Sequence, residues 1–358
     1  MHPSPDEGDD TTGMIRQSAR AFLSQSGGVV RSRAVRFSEL GFDRAVWKRM
    51  AQNGWIGLRV SEAQGGVGLG MGAMCALAGE MGAGLMPEPL IGSCLSAALL
   101  AAAPGGRQGL AALMAGEALV LTAWQEQVDG LAAPGSDDGE RVFVASGFGA
   151  DTLLVTQRGA EGLALLEVDA RAVEFVMLRT QDGGHCCTVR GAPRFTGRVI
   201  AADIQPALDR ALDEACLATA AYLQGVSDAA FAMTLDYLRT RRQFGVAIGS
   251  FQSLRHRAAD LKMQIELSRA SIAAAAGDID AGTTPANRAR AVSRAKARAG
   301  DVALRVTQAS IQMHGAIGYT DEHDIGLYLR KAMTLANQFG SAGWHRRRYA
   351  VLGDPRAA

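Results

Sequence analysis

The residues of this chain that are best suited to chemistry stand close together around Arg241. Its guanidinium offers forked donors that match phosphate oxygens, and it stays charged at neutral pH. Phe244 can lie against a flat ring, Gly245 lets the backbone turn, and the Gln252 amide can hydrogen-bond a ring edge or a ribose. The group predicts a site for a phosphate-bearing ligand with a flat ring. A surface arginine and a core phenylalanine at a turn between helices also fit these residues.

A second group of this character lies at residues 312–319. Gly315 and Gly318 are small enough for their backbone to approach a phosphate closely, and Ala316 adds one methyl group. His314 is a candidate catalytic base, although a histidine packed at the turn is the simpler interpretation. No second histidine or acidic residue stands at metal-ligand spacing, so no metal site is predicted.

Together the two groups resemble the C-terminal helical domain of the acyl-CoA dehydrogenase family, whose flavin site is built from them. Residues 312–319 resemble the family's Q-x-x-G-G-x-G-[YF] block, with alanine at the second glycine. Residues 54–58 and 61–69 resemble its G-x-x-G-[LI] and P-E-x-x-G-G-x-G-L segments, and residues 80–82 resemble the E-x-[LM]-G that follows. The resemblance covers most of the chain and implies an FAD-dependent dehydrogenase.

The resemblance also assigns the residues that would hold FAD. Residues 122–126 stand where the family has a T-E-P block against the flavin, although a tryptophan buried in a β-barrel fits Trp124 as well. The predicted cofactor-binding residues are Trp124, Gln125, Arg241, Gln243, Phe244, Gln252, Gln312, Gly315, Ala316 and Ser341.

The catalytic base of the family is missing from its usual place. Members remove the α-proton of an acyl-CoA with a glutamate and pass a hydride from Cβ to the flavin. In most members this glutamate precedes Gly-Thr or Gly-Ser, and the matching stretch here is residues 338–341, with Phe339 in its position. Phenylalanine cannot accept a proton. Gly343 also replaces the usual downstream glutamine.

A minority of members carry the glutamate on the first helix of the C-terminal domain, at the position of Ala215. Glu214 is adjacent to it. One residue turns a helical side chain by about 100°, so Glu214 is the base only if the register shifts by one. Cys216 replaces the family's substrate-side arginine.

Three interpretations of the missing base remain open. In the first, Glu214 or another carboxylate is the base and the enzyme acts alone. In the second, the chain is one subunit of a heteromeric dehydrogenase whose paralogous partner supplies the base. In the third, it is a flavin-binding or scaffold subunit without catalysis. The ending Trp344-His345-Arg346 resembles the branch whose paired subunits degrade steroid side chains, and we favour the second interpretation.

The resemblance further implies the partners of the protein. These are an acyl-CoA substrate with a bulky, steroid-derived acyl group and an electron-transfer flavoprotein that accepts the electrons. The subunits would form a homo- or heterotetramer through the C-terminal helices.

Composition and charge restrict the class of protein. A hydrophobic share of 48% with 20% charged residues is that of a globular chain, and the net charge of +1 argues against nucleic acid as a partner. Five scattered cysteines fit a reducing compartment, and the apolar stretch at 91–103 is too short to cross a bilayer. We therefore expect a cytoplasmic protein without membrane contact. Residues 1–13 lack the features of a secretory signal and predict a frayed leader.

One basic run could suggest nucleic-acid binding, but a solvated helix face explains it more simply. Its residues are Arg288, Arg290, Arg294, Lys296 and Arg298.

The elements that must position these residues follow from sequence periodicity. Helical spacing at 42–51 and an Ala/Met/Leu-rich stretch at 71–82, followed by Pro87 and Pro89, predict two N-terminal helices. Thr284-Pro285 predicts the start of a C-terminal helix. Short β-branched segments punctuated by Gly, Asp and Pro then predict an antiparallel barrel or sandwich in the middle. The predicted fold is α+β, with an N-terminal α-helical domain (1–116), a middle β-barrel domain (117–205) and a C-terminal four-helix bundle (206–358).

Overall fold

The structure, a computed structural model, describes residues 5–353 apart from residues 128, 132–138, 160 and 192–193. The chain forms two compact units. The helical unit consists of Met1–Ala34, Cys75–Met86 and Cys216–Ala358, and the sheet-containing unit consists of Val35–Met74 and Pro87–Ala215. The domain boundaries that the sequence suggests at residues 116/117 and 205/206 remain a prediction.

The elements follow the predicted order of helices, strands and helices. The helices are α1 (Pro5–Gln25), α2 (Gly28–Val35), α3 (Arg44–Gln52), α4 (Met71–Ala83), α5 (Leu90–Ala102), α6 (Arg107–Met114), α7 (Gln205–Thr240), α8 (Gln252–Asp280), α9 (Pro285–His314), α10 (Ala316–Tyr319), α11 (Ile325–Asn337) and α12 (Ala342–Val351). The strands are β1 (Val120–Ala123), β2 (Glu140–Ala145), β3 (Thr152–Arg158), β4 (Leu163–Asp169), β5 (Glu174–Arg179), β6 (His185–Arg190), β7 (Arg198–Ala201), β8 (Arg242–Gln243) and β9 (Val246–Ala247).

The N-terminal helices form where the sequence spacing predicts them. Asp43 accepts a hydrogen bond from the backbone N–H of Ala45 and so caps α3. On the buried face of α3, the indole N–H of Trp47 donates to the hydroxyl of Ser93 at 3.0 Å. This bond satisfies the polar atom of a large core side chain, and α4 likewise occupies its predicted position.

Strands β1 to β7 form two sheets, with strand orders β1-β3-β4-β7 and β2-β6-β5. The prediction of antiparallel pairing is wrong for one pair, because β1 runs parallel to β3, with Val120 opposite Thr152. The other pairs in these two sheets are antiparallel. All residues of β1 are buried, so its sequence shows no alternation that would indicate its neighbours.

In the helical unit, α9 is the central helix of the C-terminal group and packs against α8, α11 and α12. Thr284 caps its N-terminus by accepting from the backbone N–H of Asn287, and Pro285 occupies the first turn, as predicted. Leu261 and Ile265 of α8 are buried, as expected for apolar residues four positions apart on one helix face.

Glycines bring α4 and α7 into close contact within the helical unit. A Cβ atom on Gly225 would lie 1.8 Å from the carbonyl oxygen of Gly79, and one on Gly82 would lie 2.0 Å from that of Tyr222. No side chain fits at either glycine. The segment 80–82, which the sequence marks as a fold element, therefore serves backbone packing.

Two sequence interpretations need correction. Residues 5–13 belong to α1 and not to a frayed leader, because Ala19 and Phe22 of the same helix are buried and anchor it; residues 1–4 lie outside the described part of the chain. Lys296 does not lie on a solvated face, since it is only 1% exposed, whereas Arg294 and Arg298 are exposed as expected.

Candidate functional site

The Arg241 group forms an exposed β-hairpin at the end of α7. β8 and β9 pair with Gln243 opposite Val246, which leaves Phe244 and Gly245 as a two-residue turn. Their φ angles of +52° and +81° are typical of a type I′ turn. Phe244 is 91% exposed at the hairpin tip, so the alternative of a core phenylalanine is wrong.

The polar side chains near this tip also face solvent. Arg241, Gln243 and Gln252 are exposed. The ring of Phe244 meets that of Phe251 edge to face, with centroids 6.2 Å apart, and Phe251 immediately precedes α8. The structure thus gathers these four predicted cofactor residues in the connection between α7 and α8.

The second predicted group lies at the end of α9. Gly315 has φ +68° and ψ −143°, and a Cβ atom added to it would meet open space. Gln312 and Ala316, on either side, are exposed. Gly318 differs, because a Cβ atom there would lie 2.7 Å from the carbonyl oxygen of Ile311. Gly315 therefore leaves its backbone accessible, whereas Gly318 is needed for packing.

His314 connects these two groups. Its ring is 3% exposed and stacks on Tyr237, with centroids 4.5 Å apart, and it lies 4.6 Å from the ring of His323. Nδ1 bonds with the carbonyl of Ser310 at 2.7 Å, while Nε2 is buried without a hydrogen-bond partner among the described residues. The backbone N–H of Arg241 donates to the carbonyl of Tyr237. The stack therefore ties the end of α9 to the base of the hairpin, which agrees with a packed histidine.

The electrostatic state of His314 follows from this burial. Burial lowers the pKa of its imidazole, the bond to the Ser310 carbonyl opposes that effect, and the neighbouring His323 lowers the pKa further. The ring is accordingly neutral at physiological pH.

The turn at residues 338–341, which the resemblance matches to the family's catalytic segment, joins α11 to α12. Phe339 is 7% exposed and has φ +58°, and Gly340 follows with φ +96°. The hydroxyl of Ser341 accepts from the backbone N–H of Trp344 and so caps α12. A buried aromatic ring thus stands at the position that the resemblance assigns to the family's base.

A buried polar network holds the carbonyl of Phe339. Nε2 of His345 donates to this carbonyl at 2.9 Å, and Sγ of Cys216 lies 3.5 Å from the same nitrogen. Nδ1 of His345 contacts the hydroxyl of Ser293 at 3.3 Å. Cys216 is therefore a buried thiol that supports this turn.

Lys296 holds the neighbouring carbonyls. Its Nζ donates to the carbonyls of Leu335, Ala336 and Gly340 at 3.3, 2.9 and 3.2 Å. A cation at the C-terminal end of α11 is favoured by the helix dipole and satisfies carbonyls that lack intrahelical partners. The turn around Phe339 is thus fixed both by α9 and by α12.

Glu214 lies on the part of α7 that belongs to the sheet-containing unit, and both its carboxylate oxygens are engaged. Arg59 donates from Nε to Oε2 at 3.1 Å and from Nη2 to Oε1 at 2.9 Å, and Nε of Arg210 donates to Oε1 at 3.0 Å. Burial by itself raises the pKa of Glu214, but the hydrogen bonds and charges of Arg59 and Arg210 outweigh burial and lower that pKa. A general base needs a free oxygen and a pKa near the working pH. This carboxylate has the properties of an ion-pair partner.

Trp124 and Gln125 lie in the sheet-containing unit, directly after β1. Trp124 is 5% exposed, in agreement with a tryptophan buried in the β domain. Gln125 is half-buried, and its amide donates to the carbonyl of Gln127 at 2.7 Å. Their contact with flavin remains a prediction.

Sequence reasoning missed the residues that support the site, namely Arg59, Tyr237, Lys296 and His345. Most of their partners are distant in sequence, as with the 155 positions between Arg59 and Glu214, so no motif spacing indicates these contacts. One sequence feature could have indicated that Lys296 is buried. It stands between Ala295 and Ala297, in a run of small residues typical of a packed helix face.

The residues that the structure describes contain neither a membrane-spanning helix nor a cluster of metal-ligating side chains. No helix among them combines the length and the apolar composition that a bilayer span requires. No three His, Cys, Asp or Glu side chains among them are grouped as metal ligands. The five cysteines are free thiols.

The exposed groups fit the cofactor that the resemblance implies. Phe244 holds a left-handed conformation, which is rare for a bulky residue, and presents most of its ring to water, with Phe251 against it edge to face. Exposed arginine donors and the open backbone at Gly315 suit a diphosphate. These donors are compatible with the diphosphate of FAD, and their contact with the cofactor remains a prediction.

Comparison with known proteins agrees with these features. The family model described as the acyl-CoA dehydrogenase C-terminal domain matches residues 206–350, and the one described as the N-terminal domain matches residues 9–104. The acyl-CoA dehydrogenase IpdE2 of Mycobacterium tuberculosis is 29% identical over 323 residues, which cover 89% of this chain and 90% of that protein.

Solved structures share the fold over nearly the whole chain. One described as a Tcur3481-Tcur3483 steroid ACAD variant has a TM-score of 0.85 and 29% identity, and covers 97% of each chain. The ChsE4-ChsE5 complex of Mycobacterium tuberculosis has a TM-score of 0.85 at 22% identity over 99% of each chain, which shows the fold alone. The predicted α+β fold class is confirmed. This chain belongs to the acyl-CoA dehydrogenase family, whose members are oxidoreductases that act on the CH–CH bond of acyl-CoA thioesters.

Proposed function

We propose that this chain is one subunit of a heteromeric, FAD-dependent acyl-CoA dehydrogenase in which a paralogous subunit supplies the catalytic base. The observation that carries the proposal is the combination of an intact, exposed hairpin at Arg241 with a buried Phe339 at the base position. Proton abstraction at Cα requires a carboxylate, and phenylalanine cannot accept a proton. A chain that keeps the cofactor residues and lacks the base suits a shared site.

The engagement of Glu214 supports the same proposal. Its two oxygens accept three hydrogen bonds from Arg59 and Arg210, and its pKa is lowered. Removal of an α-proton by this carboxylate would first require that the ion pairs break. Glu214 as the base of a self-sufficient enzyme is therefore the less favoured alternative.

The residues of this chain would hold FAD through the two groups of the helical unit. Arg241 would neutralise the diphosphate, Phe244 would lie against a ring, and Gln243, Gln252 and Gln312 would donate or accept hydrogen bonds. Gly315 and Ala316 are small and would let the cofactor approach the backbone closely. Trp124, Gln125 and Ser341 are the remaining residues of the proposed FAD site. Bound FAD would supply the acceptor for the hydride from Cβ.

The substrate and electron acceptor are proposed from relatives. The structure with 29% identity is described as a steroid ACAD, so we propose a bulky, steroid-derived acyl-CoA as the substrate. An electron-transfer flavoprotein would reoxidise the cofactor, in a cytoplasmic heterotetramer. The second candidate is a non-catalytic flavin-binding or scaffold subunit. If no subunit supplies a base, the buried Phe339 supports this candidate as well as it supports the first.

The test is an absorption spectrum of the chain purified alone and co-purified with each paralogue that carries Glu before Gly-Thr. Acyl-CoA thioesters, including steroid-derived ones, are then added anaerobically. We expect flavin bleaching only in the co-purified enzyme. Bleaching by the chain alone would contradict the proposal, and Glu214 would then be the first candidate for the catalytic base. Flavin without bleaching in every combination would favour the scaffold subunit.

A matched pair of variants tests the cofactor residues. Arg241→Ala should reduce FAD occupancy at unchanged folding, because a diphosphate loses its forked donor. Arg239→Ala, two residues earlier and also exposed, should retain FAD. Full occupancy in Arg241→Ala would remove the assignment of Arg241.

A further inference from the structure

Arg141 of β2 is a charged residue without exposure to solvent, and it belongs to none of the predicted cofactor groups. Its Nε and Nη2 donate to the carbonyl of Thr156 at 3.1 and 2.6 Å, and Nη1 donates to the carbonyl of Glu140 at 2.6 Å. The centroid of the Phe195 ring lies 5.5 Å from its Cζ atom. Arg141 is therefore enclosed where β2 meets β3, two strands that belong to different sheets.

The carboxylate of Glu126 pairs with this buried cation. Oε1 of Glu126, a half-buried residue, lies 3.2 Å from Nη1 of Arg141. Glu126 directly follows Trp124 and Gln125 in the segment after β1. A buried ion pair contributes little net stability, because desolvation opposes the attraction of the charges, and its best-attested use is to select one arrangement among several. The pair thus indicates control over the place of residues 124–126.

A backbone hydrogen bond from the next residue of β2 holds the same segment. The N–H of Val142 donates to the carbonyl of Gln125 at 2.8 Å. The pairing of β2 with β6 shifts register between Arg141 and Val144, as in a β-bulge, and Phe143 within the bulge has φ +56°. This left-handed conformation is strained for phenylalanine. The bulge leaves Val142 outside the β2–β6 register, and its N–H bonds to the segment after β1 instead.

We propose that Arg141 is a positioning residue that, together with the β2 bulge, fixes Trp124 and Gln125 for contact with the flavin. The inference rests on the proposed function, because it takes these two residues to face FAD. Since Arg141 has no exposed surface, it acts through Glu126 and not by contact with a ligand. The strain at Phe143 fits this role, because bulges and strained residues are concentrated next to functional sites.

The first readout of the experiment is the environment of Trp124. Glu126→Ala removes the carboxylate, whereas Glu126→Gln keeps an oxygen that can accept from Arg141. Each protein is labelled with fluorotryptophan and studied by ¹⁹F NMR without FAD. The chain contains four tryptophans, and the resonance lost in Trp124→Phe assigns the one of interest. We expect this resonance to shift in Glu126→Ala and to keep its place in Glu126→Gln.

The second readout is FAD affinity, measured by quenching of flavin fluorescence with the chain alone or with its co-purified paralogue, whichever binds FAD. Glu126→Ala should weaken binding about tenfold, because the segment must then be ordered on binding, and Glu126→Gln should stay within about threefold. Glu174→Ala is the control. It removes an exposed carboxylate from β5 and should change neither readout.

An unshifted Trp124 resonance in folded Glu126→Ala would overturn the proposal, and so would a shifted resonance with unchanged FAD affinity. If circular dichroism shows that Glu126→Ala does not fold, Arg141→Met/Glu126→Leu removes the pair without leaving a buried charge, and the same outcomes apply. Absence of FAD binding by the unmodified protein in every combination would refute the proposed function and with it the role at the flavin. An unshifted resonance refutes the positioning role alone.

Discussion

The ring of His314 lies against the ring of Tyr237, with centroids 4.5 Å apart and planes inclined by 26°. Tyr237 is in the last turns of α7, just before the Arg241 hairpin, and His314 is the last residue of α9, just before Gly315. The two sequence groups assigned to FAD are thus joined by one aromatic contact. We infer that this contact sets the distance between the two groups.

Replacement of His314 tests this inference. His314→Leu should weaken FAD binding about tenfold, because an aromatic stack contributes roughly 0.5–1.5 kcal/mol. His314→Phe keeps a flat ring and should bind FAD within about threefold of the unmodified protein. FAD affinity is measured by quenching of flavin fluorescence. Gln308→Ala, an exposed site on the same helix, is the control, and equal affinities in all four proteins would contradict the inference.

The lowered pKa of His314 predicts a dependence of stability on pH. The unfolded imidazole titrates near 6.5, and the folded one titrates below it, so the unfolded state binds more protons between these two values. The contribution of His314 to the free energy of unfolding is therefore fully present above pH 6.5. It falls as the pH is lowered through this window, by at most about 1.4 kcal/mol per pH unit.

The measurement is urea unfolding between pH 7.5 and roughly 5, compared between the unmodified protein and His314→Phe. The pKa of His185 is lowered as well, by burial and by Arg179, but His185 contributes equally to both proteins and cancels. Identical pH profiles would show that His314 does not titrate differently in the folded state.

The buried Lys296 predicts a large effect on stability. Lys296→Met removes a donor from three carbonyls and should lower the free energy of unfolding by about 2–4 kcal/mol. Arg298→Met, an exposed site on the same helix, should change it by less than about 0.5 kcal/mol. Both values come from chemical denaturation. A small effect of Lys296→Met would mean that these hydrogen bonds do not hold the Phe339 turn.

Glu214→Gln separates a structural carboxylate from a catalytic one. The variant should retain turnover in the heteromeric enzyme, within a few-fold, and lose about 1–3 kcal/mol of stability because Arg59 and Arg210 lose their charged acceptor. Turnover is followed by reduction of an artificial electron acceptor, and stability by thermal unfolding. Loss of turnover with intact flavin absorbance would instead identify Glu214 as the base.

Local sequence patterns determined much of this protein. The periodicity at 42–51 predicted α3, the composition at 71–82 predicted α4, and Thr284-Pro285 predicted the start of α9, because caps, breakers and apolar stripes act within a few residues. The motifs around Arg241 and residues 312–319 identified the family, since a backbone that turns or stays open requires glycine at fixed places. The sequence alone also predicts that Phe339 stands at the position of the family's base, and this assignment stays a prediction.

Tertiary structure decided what those patterns left open. The burial of Lys296 and the parallel pairing of β1 with β3 depend on partners distant along the chain, and local spacing carries no information about them. Likewise, the sequence does not indicate that Glu214 is paired, whereas in the fold its carboxylate accepts hydrogen bonds from Arg59 and Arg210. Residue types set which chemistry is available, and long-range packing sets the charge, the contacts and the accessibility with which each residue can act.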